Sequence, residues 1–228
     1  MQYPALVIDT STRYLLFARL DARGVGLLTV KTAAAEGESA VDSAVAELFP
    51  DLGGLAEIWL GSGPGSFVGL RSSFAYVRML AMLRGVPCRT FLSSRLWRSF
   101  FGVAPEAWFL TRTNARLYYA ERYLPAREAQ AVEVSAAAEL AGEKFCFYDS
   151  WLPTASGAKV RQGAGVADSV YPPAKILHFA EAKMGTELLT PEILCPGEPV
   201  QHTTLEPLYG HELNFALADH RQQATKNT

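Results

Sequence analysis

The sequence has few of the residues that form covalent or metal cross-links. Its 228 residues include three cysteines that lie far apart without a C-x-x-C spacing, so neither a disulfide framework nor a zinc site is indicated. The four histidines fall in the last quarter of the chain and show no H-x-x-x-H or H-E-x-x-H spacing. We therefore expect no metal ligands, and a reducing, cytoplasmic location. These residues are Cys88, Cys146, Cys195, His178, His202, His211 and His220.

Long apolar runs are also missing. The run at the N-terminus stops at Asp9 and no basic leader precedes it, and no uncharged run reaches the length of a membrane span. The sequence therefore predicts neither a signal peptide nor a transmembrane helix, and no membrane partner.

Acidic residues and lysine are absent from the 48 residues between Ile58 and Pro105, which carry six arginines. Such a segment could face RNA or an acidic protein surface. Arginines scattered over solvated helix faces are the commoner outcome, and we keep that interpretation first. The six are Arg71, Arg78, Arg84, Arg89, Arg95 and Arg98.

The residues that are present, 49% hydrophobic and 19% charged, are typical of a folded globular protein. Periodicity predicts three strands, a helix over 39–49, a strand at "AEIWL", a helix over 70–84 that ends at Gly85, a strand at "CRTFLS" and a short helix at "SSRLWRSFF". The same order recurs in shortened form from Pro105, with a helix at "PPAKILHFAEAKMG". We expect two lobes packed on each other, 1–104 and 105–228, the second with a surface-wrapping tail.

The stretch "GSGPGSFVGLR", residues 61–71, joins a predicted strand to a predicted helix. Its backbone N–H groups at a helix start could hold a phosphate, with Gly63, Gly65 and Ser66 as the candidates. The spacing matches neither G-x-x-x-x-G-K-[ST] nor G-x-G-x-x-G. A tight structural corner is the first interpretation, and a ligand loop is the alternative.

A second candidate is "DTST", residues 9–12, at the end of the first strand. Asp9 could hold a hydrated magnesium ion while the Ser11 and Thr12 hydroxyls meet phosphate oxygens. A turn whose side chains bond their own backbone is the competing interpretation. No acyl-transfer triad is indicated, because Pro64 stands where G-x-S-x-G requires glycine.

The helix over 70–84 has a wider apolar surface than one buried stripe needs. Either it is sandwiched inside the fold or it also faces another protein, and the pattern alone favours neither. The predicted partner interface on the two helices of the first lobe comprises Val41, Val45, Phe74, Val77, Arg78, Met79, Ala81 and Met82.

Taken together, these stretches resemble the TsaB (YeaZ) family, a glycoprotease-like family in the bacterial machinery that makes threonylcarbamoyladenosine in tRNA. The resemblance rests on "LVIDTST", "GSGPGSFVGLR", "GVPCRTFLSS", "NARLYYAERY" and "EPLYG", and covers nearly the whole chain to about Tyr209. It implies an actin-like, sugar-kinase-like α/β fold of two ribonuclease-H-like βββαβα lobes.

The same resemblance implies a function without an active site of its own. The small subunit binds and activates a larger catalytic paralogue (TsaD-like), helps recruit an ATPase subunit (TsaE-like), meets tRNA only through the complex, and forms a homodimer when alone. No cofactor is expected. The alternative is an ATP-binding or phosphoryl-transfer enzyme of the actin-like fold, with magnesium at Asp9; a peptidase has no motif to support it.

The sequence departs from the family pattern at three places. Val68 stands where threonine is common, which removes a hydroxyl from the loop and weakens the case for nucleotide. An acidic residue is usual near Asn114, and Tyr209 lacks the Leu-Arg that normally follows it. The last two departures concern partner contacts more than the fold.

Overall fold

Two five-stranded sheets with the same strand topology make up the protein. The computed structural model describes residues 1–23, 26–32, 39–112, 117–124, 128–133, 136–147, 174–177 and 179–207. The first lobe contains β1 Ala5–Asp9, β2 Tyr14–Leu20, β3 Gly26–Thr32, α1 Ser39–Leu48, β4 Glu57–Gly61, α2 Phe67–Arg84, β5 Cys88–Phe91 and α3 Ser93–Phe101. The second contains β6 Trp108–Arg112, β7 Leu117–Arg122, β8 Glu128–Glu133, β9 Lys144–Phe147, β10 Lys175–Leu177 and α4 Pro191–Leu194.

Strand order shows that the second sheet repeats the first. The orders are β3-β2-β1-β4-β5 and β8-β7-β6-β9-β10. In each sheet the first three strands pair antiparallel, and the first strand also pairs parallel with the fourth. The fourth and fifth strands pair parallel as well. This topology confirms the predicted α/β fold of two ribonuclease-H-like lobes.

The central strand β1 is buried on both faces, as its unbroken aliphatic sequence predicts. Leu6 and Ile8 point into a core formed with α1 and α2, while Ala5 and Val7 point into a second core that includes α3. That second core also contains side chains of β6, β9 and β10, so it joins the two lobes. The boundary at residue 104 itself stays a prediction.

Trp97 on α3 is the centre of the contact between the lobes. Its ring lies 4.9 Å from that of Phe147 on β9 and 5.9 Å from that of Phe100, centroid to centroid. Its polar N–H points the other way, toward β1. The short helix predicted at "SSRLWRSFF" is therefore the element that binds both sheets together.

The prediction of a helix at "PPAKILHFAEAKMG" is wrong. Residues 175–177 form strand β10 beside β9, and 179–181 form a single turn of 3₁₀ helix. The strand β8, with the polar sequence "EAQAVE", was not predicted; it pairs with β7 along six residues. In both cases backbone pairing with an existing sheet edge overrides local pattern.

The chain after the second sheet returns to the first lobe. Val200 forms a β-bridge with Cys88, and Leu205 is buried in the core beneath α2. The "PLYGH" stretch, the turn at Asn114 and three of the four histidines lie outside the described residues. Within the described parts of the chain, no helix is long and apolar enough to cross a membrane.

Candidate functional site

The carboxylate of Asp9 lies inside the protein at the end of β1. Its Oδ1 accepts hydrogen bonds from the Ser11 N–H at 3.2 Å, the Ser11 hydroxyl at 2.7 Å and the Trp97 indole N–H at 3.3 Å. Oδ2 makes no hydrogen bond of ordinary geometry, although the Ser93 hydroxyl lies near enough to favour the charged form. Burial raises the pKa of Asp9, and these hydrogen bonds offset the rise only in part.

The hydroxyl groups that follow Asp9 are used inside the protein. Thr12 Oγ1 accepts from the Tyr14 N–H at 3.1 Å and donates to the Tyr14 carbonyl at 3.0 Å. Thr10 Oγ1 lies 2.8 Å from the Ser73 hydroxyl of α2. Both threonines are buried. The stretch is therefore the self-bonded turn that was the competing interpretation from sequence.

Three glycines of the 61–71 loop are needed because this turn packs directly against them. A Cβ at Gly61 would lie 2.0 Å from Asp9 Oδ2. At Gly65 and Gly69 a Cβ would lie 2.2 Å and 2.3 Å from carbonyl oxygens of the β1–β2 turn. Contacts this short exclude any side chain at these positions, so the three glycines let the loop pack closely against the Asp9–Ser11 turn.

Several N–H groups of the loop and of the start of α2 are likewise bonded within the chain. Ser66 is the N-cap, and its hydroxyl accepts from the Gly69 N–H at 3.2 Å. The Ser66 N–H donates to the Ser11 carbonyl at 2.6 Å, and the Gly63 N–H donates to the Ser93 hydroxyl at 3.0 Å. The predicted phosphate-loop residues are thus brought together in a corner, where Ser11 bonds both Asp9 and Ser66.

The surroundings of Asp9 do not fit a magnesium ion. The Asp9 carboxylate is fully buried, and the backbone of β4 at Gly61 lies against its free oxygen. Magnesium requires several oxygen ligands in octahedral geometry. Among the described residues, no group of three His, Cys, Asp or Glu side chains could hold a metal ion.

Helix α2 has one buried side, which corrects part of the predicted interface. Phe74, Val77 and Ala81 are at most 2% exposed, as is Val45 on α1, and all four lie in the core of the first lobe. Val41 is half-buried and packs against the same core. The four fully buried side chains stabilise the lobe itself and offer no surface to a partner, whereas Val41 at the partner interface stays a prediction.

Arg78 is also engaged within the chain. Its Nη2 donates to the Leu205 carbonyl, while its buried Nε has no acceptor. The returning C-terminal segment therefore covers the side of α2 that carries Arg78. Arg78 is half-buried, and one of its donors already bonds this segment.

The opposite side of α2 is an apolar surface open to solvent. We call Val68, Ser72, Ala75, Met79 and Met82 the α2 stripe, because steps of four and three residues place them on one helix face. Val68 is 70% exposed, Met79 49% and Met82 59%, and the neighbouring Leu83 is 68% exposed. The helix is thus half core and half surface, so it is not sandwiched inside the fold, and its outer side is open as the other sequence alternative requires.

Helix α1 lies beside α2. Burial and the nearby Asp42 of α1, which also hydrogen-bonds the phenol, raise the pKa of Tyr76 on α2 to about 12. The exposed residues of α1 are small or acidic, Asp42, Ser43, Ala46 and Glu47. Of these, Asp42 contacts α2, whereas Glu47 pairs with Lys31 of β3.

Four of the six arginines in the acid-free segment bond to their own chain. Arg84 donates to the Leu52 carbonyl at 3.0 Å, and Arg89 to Glu57 at 2.6 Å. Arg78 and Arg98 bond only backbone carbonyls. These arginines serve as internal ties. They are neither a continuous basic track for RNA nor the solvated helix-face arginines that were kept as the first interpretation.

Comparison with solved structures identifies the fold. YeaZ from Pseudomonas aeruginosa superposes with a TM-score of 0.60 over 90% of this chain and 98% of that one, at 16% identity. The chain has the YeaZ fold. An uncharacterized Pseudomonas aeruginosa protein with similarity to peptidase YeaZ superposes equally well, with a TM-score of 0.61 and the same coverage, at 17% identity. No protein-family model and no curated protein sequence matches the chain.

The YeaZ fold places the stripe and the corner in one lobe, and two of its features were missed from sequence. From sequence, Val68 was noted only because it lacks the hydroxyl of threonine, yet it begins the exposed stripe. Its helical spacing to Ala75, Met79 and Met82 could have predicted that these side chains share one face. Trp97 and Ser93, which bond around Asp9, gave no signal because their partners lie more than 80 residues away along the chain.

Proposed function

We propose that this protein is a TsaB (YeaZ) family member and acts as a non-catalytic scaffold and activator in forming N6-threonylcarbamoyladenosine at position 37 of tRNA. In this function it binds a larger TsaD-like catalytic paralogue and helps recruit a TsaE-like ATPase subunit. The observation that carries the proposal is the exposed α2 stripe on a YeaZ fold.

The chemistry of the stripe supports a protein partner. Large apolar side chains that stand together on a soluble protein commonly mark interaction sites. Methionine suits such a surface because its flexible thioether adapts to the opposing side chains. Arg71 lies at the exposed end of α2 and Asp42 on α1, so polar groups border the apolar centre as in many interfaces.

The corner at Asp9 weighs against the enzyme alternative. A phosphoryl-transfer enzyme needs an accessible carboxylate that keeps its charge beside a metal. Asp9 is enclosed, and burial raises its pKa, so its surroundings favour the neutral acid. No described feature favours ATP or peptide as a substrate over the scaffold function.

Co-purification with the larger paralogue tests the proposal. We expect Met79→Asp and Met82→Asp to weaken this complex at least about tenfold, because each places a charge at the centre of an apolar interface. Leu124→Asp is the matched control, since Leu124 is 50% exposed but lies in the second lobe. All three variants should keep the wild-type unfolding midpoint, because the substituted side chains are on the surface.

Two further measurements test the α2 stripe and the scaffold function separately. The isolated chain should dimerise through the same stripe, so Met79→Asp should be monomeric by light scattering at concentrations where wild type is dimeric. In the reconstituted modification reaction, loss of product should parallel loss of the complex. Full binding by Met79→Asp and Met82→Asp would assign the partner surface elsewhere, and full modification without this subunit would refute the scaffold function.

A further inference from the structure

The chain passes from the first lobe to the second through residues 102–107, between α3 and β6. Gly102 ends α3 in a left-handed conformation with φ of 61°, and its N–H donates to the Ser99 carbonyl at 3.0 Å. When two lobes hinge, a few residues of such a connecting segment absorb the change in backbone dihedral angles. The contacts of this segment therefore decide whether the two lobes can turn relative to each other.

Arg98 on α3 bonds the connecting segment from inside the protein. Its guanidinium donates to the carbonyls of Val103 at 3.3 Å, of Ala104 at 2.6 Å and of Ala107. A fourth bond, 3.3 Å long, reaches the Glu121 carbonyl of β7 in the second lobe. Arg98 is 6% exposed, so water has little access to replace these donors. One buried side chain thus holds the segment at three points and ties it to the second sheet.

The first turn of α3 makes a further bond to the second lobe. The Ser94 hydroxyl donates to the Glu121 carboxylate, and both side chains are at most 3% exposed. Next to this bond, the guanidinium groups of Arg95 and Arg98 lie over the Tyr123 ring, with their Cζ atoms 4.8 Å and 5.1 Å from its centre. The helix is therefore bonded to the second lobe at two successive turns.

The same helix is also bonded to the first lobe. The Ser93 N–H donates to the Gly63 carbonyl at 2.9 Å, and the Gly63 N–H donates back to the Ser93 hydroxyl at 3.0 Å. The Trp97 indole N–H donates to Asp9 at 3.3 Å. The adjacent residues Ser93 and Ser94 thus bond opposite lobes, and both are buried. A buried polar network whose members are bonded favours one arrangement and resists partial opening.

We propose that α3 is a rigid joint that holds the two lobes in one fixed orientation, with Arg98 as the residue that fixes the connecting segment. Turning one lobe against the other would break bonds of Arg98 or the bond between Ser94 and Glu121, and would leave buried acceptors without donors. The protein therefore lacks the opening and closing by which hinged proteins enclose a ligand. This inference concerns the joint alone and does not depend on the proposed scaffold function.

Distances between two spin labels, measured by pulsed electron paramagnetic resonance, test the proposal. Ala46→Cys on α1 and Glu143→Cys before β9 place one label on an exposed position of each lobe. Cys195→Ser removes the exposed native thiol, whereas Cys88 and Cys146 are buried. Dilution with unlabelled chain restricts the measurement to distances within one molecule. We expect one narrow distance distribution with the joint intact.

Two variants of the joint should broaden this distribution. Arg98→Met keeps an unbranched apolar side chain but removes every donor to the connecting segment, and should widen the distribution at least about twofold, because the freed carbonyls must move to reach water. Ser94→Ala removes one bond and should widen it less. The matched control is Arg84→Met, because Arg84 also bonds a carbonyl, that of Leu52, but within the first lobe. Its distribution should stay as narrow as that of the parent chain.

Circular dichroism establishes which variants are folded. A broad or two-peaked distribution in the parent chain would overturn the proposal, whatever the variants show. An unchanged width in folded Arg98→Met, or equal broadening in Arg84→Met, would overturn it as well. If Arg98→Met does not fold, Ser94→Ala decides: broadening supports the rigid joint, and an unchanged width refutes it.

Discussion

Two buried carboxylates in the first sheet show how local partners decide the state of an acid. Burial raises the pKa of Glu57, but hydrogen bonds from Trp59, the Gln2 N–H and Arg89 outweigh it, and the net pKa lies below the ordinary value. Asp9 is also closed to solvent, lies deeper in the protein and has no cation beside it, and its pKa is raised by burial. Glu57 is thus a structural ion-pair partner, whereas Asp9 opposes folding when it is charged.

We expect Asp9→Asn to stabilise the protein at neutral pH and not at low pH. The folded pKa of Asp9 lies above its ordinary 3.8, so the native state binds a proton more tightly than the unfolded state does. Stability contributed by this acid is therefore lost as pH rises from about 3.8 through the folded value. Asparagine keeps an acceptor for Ser11 and Trp97 and does not titrate.

Urea unfolding at several pH values measures this difference. The difference in free energy of unfolding between variant and wild type should increase as pH rises, and it should vanish below the pH range in which an ordinary carboxyl group titrates. Asp21→Asn serves as control, because Asp21 is exposed in a turn and its replacement should give no such pH-dependent gap. Lower stability of Asp9→Asn at neutral pH would show that the fold requires the charged carboxylate. The interpretation of Asp9 as an ion-binding residue would then be favoured.

At the scale of elements, α2 joins the corner to the surface stripe. It begins at Phe67, three residues before the predicted start, because Ser66 caps it, and it ends where Gly85 adopts a left-handed conformation with φ of 63°. The Gly-rich loop thus sets the direction of the helix, and the direction places Met79 and Met82 outward. Under the proposed function, the structural corner therefore orients the surface that binds the partner.

Ser66→Ala should destabilise the protein by about 1 kcal/mol, because it removes the N-cap acceptor of the Gly69 N–H. Ser72→Ala is the control: it is exposed within the same helix, where alanine is the better helix former, and should be neutral or slightly stabilising. Thermal unfolding of the two variants measures the difference. Equal stability would mean that packing against the Ser11 backbone, not the cap, holds the helix start.

At the scale of the whole molecule, the chain after β10 stabilises the lobe that precedes it. The Leu205 side chain is 1% exposed and lies in the core that α1 and α2 cover. The backbone carbonyl of Leu205 accepts a hydrogen bond from Arg78. The two lobes therefore share both a central core at Trp97 and a returning segment. Unfolding of one lobe should expose apolar surface of the other, so we expect a single cooperative transition.

Leu205→Ala should cost about 2–5 kcal/mol, as for other large-to-small changes in a core, and should lower the stability of the first lobe. Leu124→Ala, at a half-exposed site in the second lobe, should cost much less. Denaturant unfolding monitored at the four tryptophans, of which Trp59 lies in the first lobe and Trp108 in the second, reports both lobes. If Leu205→Ala lowered the free energy of unfolding no more than Leu124→Ala does, the segment around Leu205 would contribute little to the core of the first lobe.

The sequence by itself determined most first-lobe elements, whereas the topology of the two lobes was expected from the family resemblance. Aliphatic runs such as "ALVID" and the helical period over 70–84 have direct local causes, which are strand burial and side-chain packing on one helix face. The glycine spacing also predicted a corner as its first interpretation. These features could be predicted because each depends on residues close together in the chain.

Only the tertiary structure decided which apolar residues are core and which are surface. Val77 and Met79 lie two positions apart on one helix, yet one packs on the sheet and the other faces solvent. The strand β10 and the enclosure of Asp9 depend on pairing and packing with residues distant in sequence. The physical reason is that burial belongs to the assembled sheets and helices, whereas a local pattern records only the periodicity of apolar side chains.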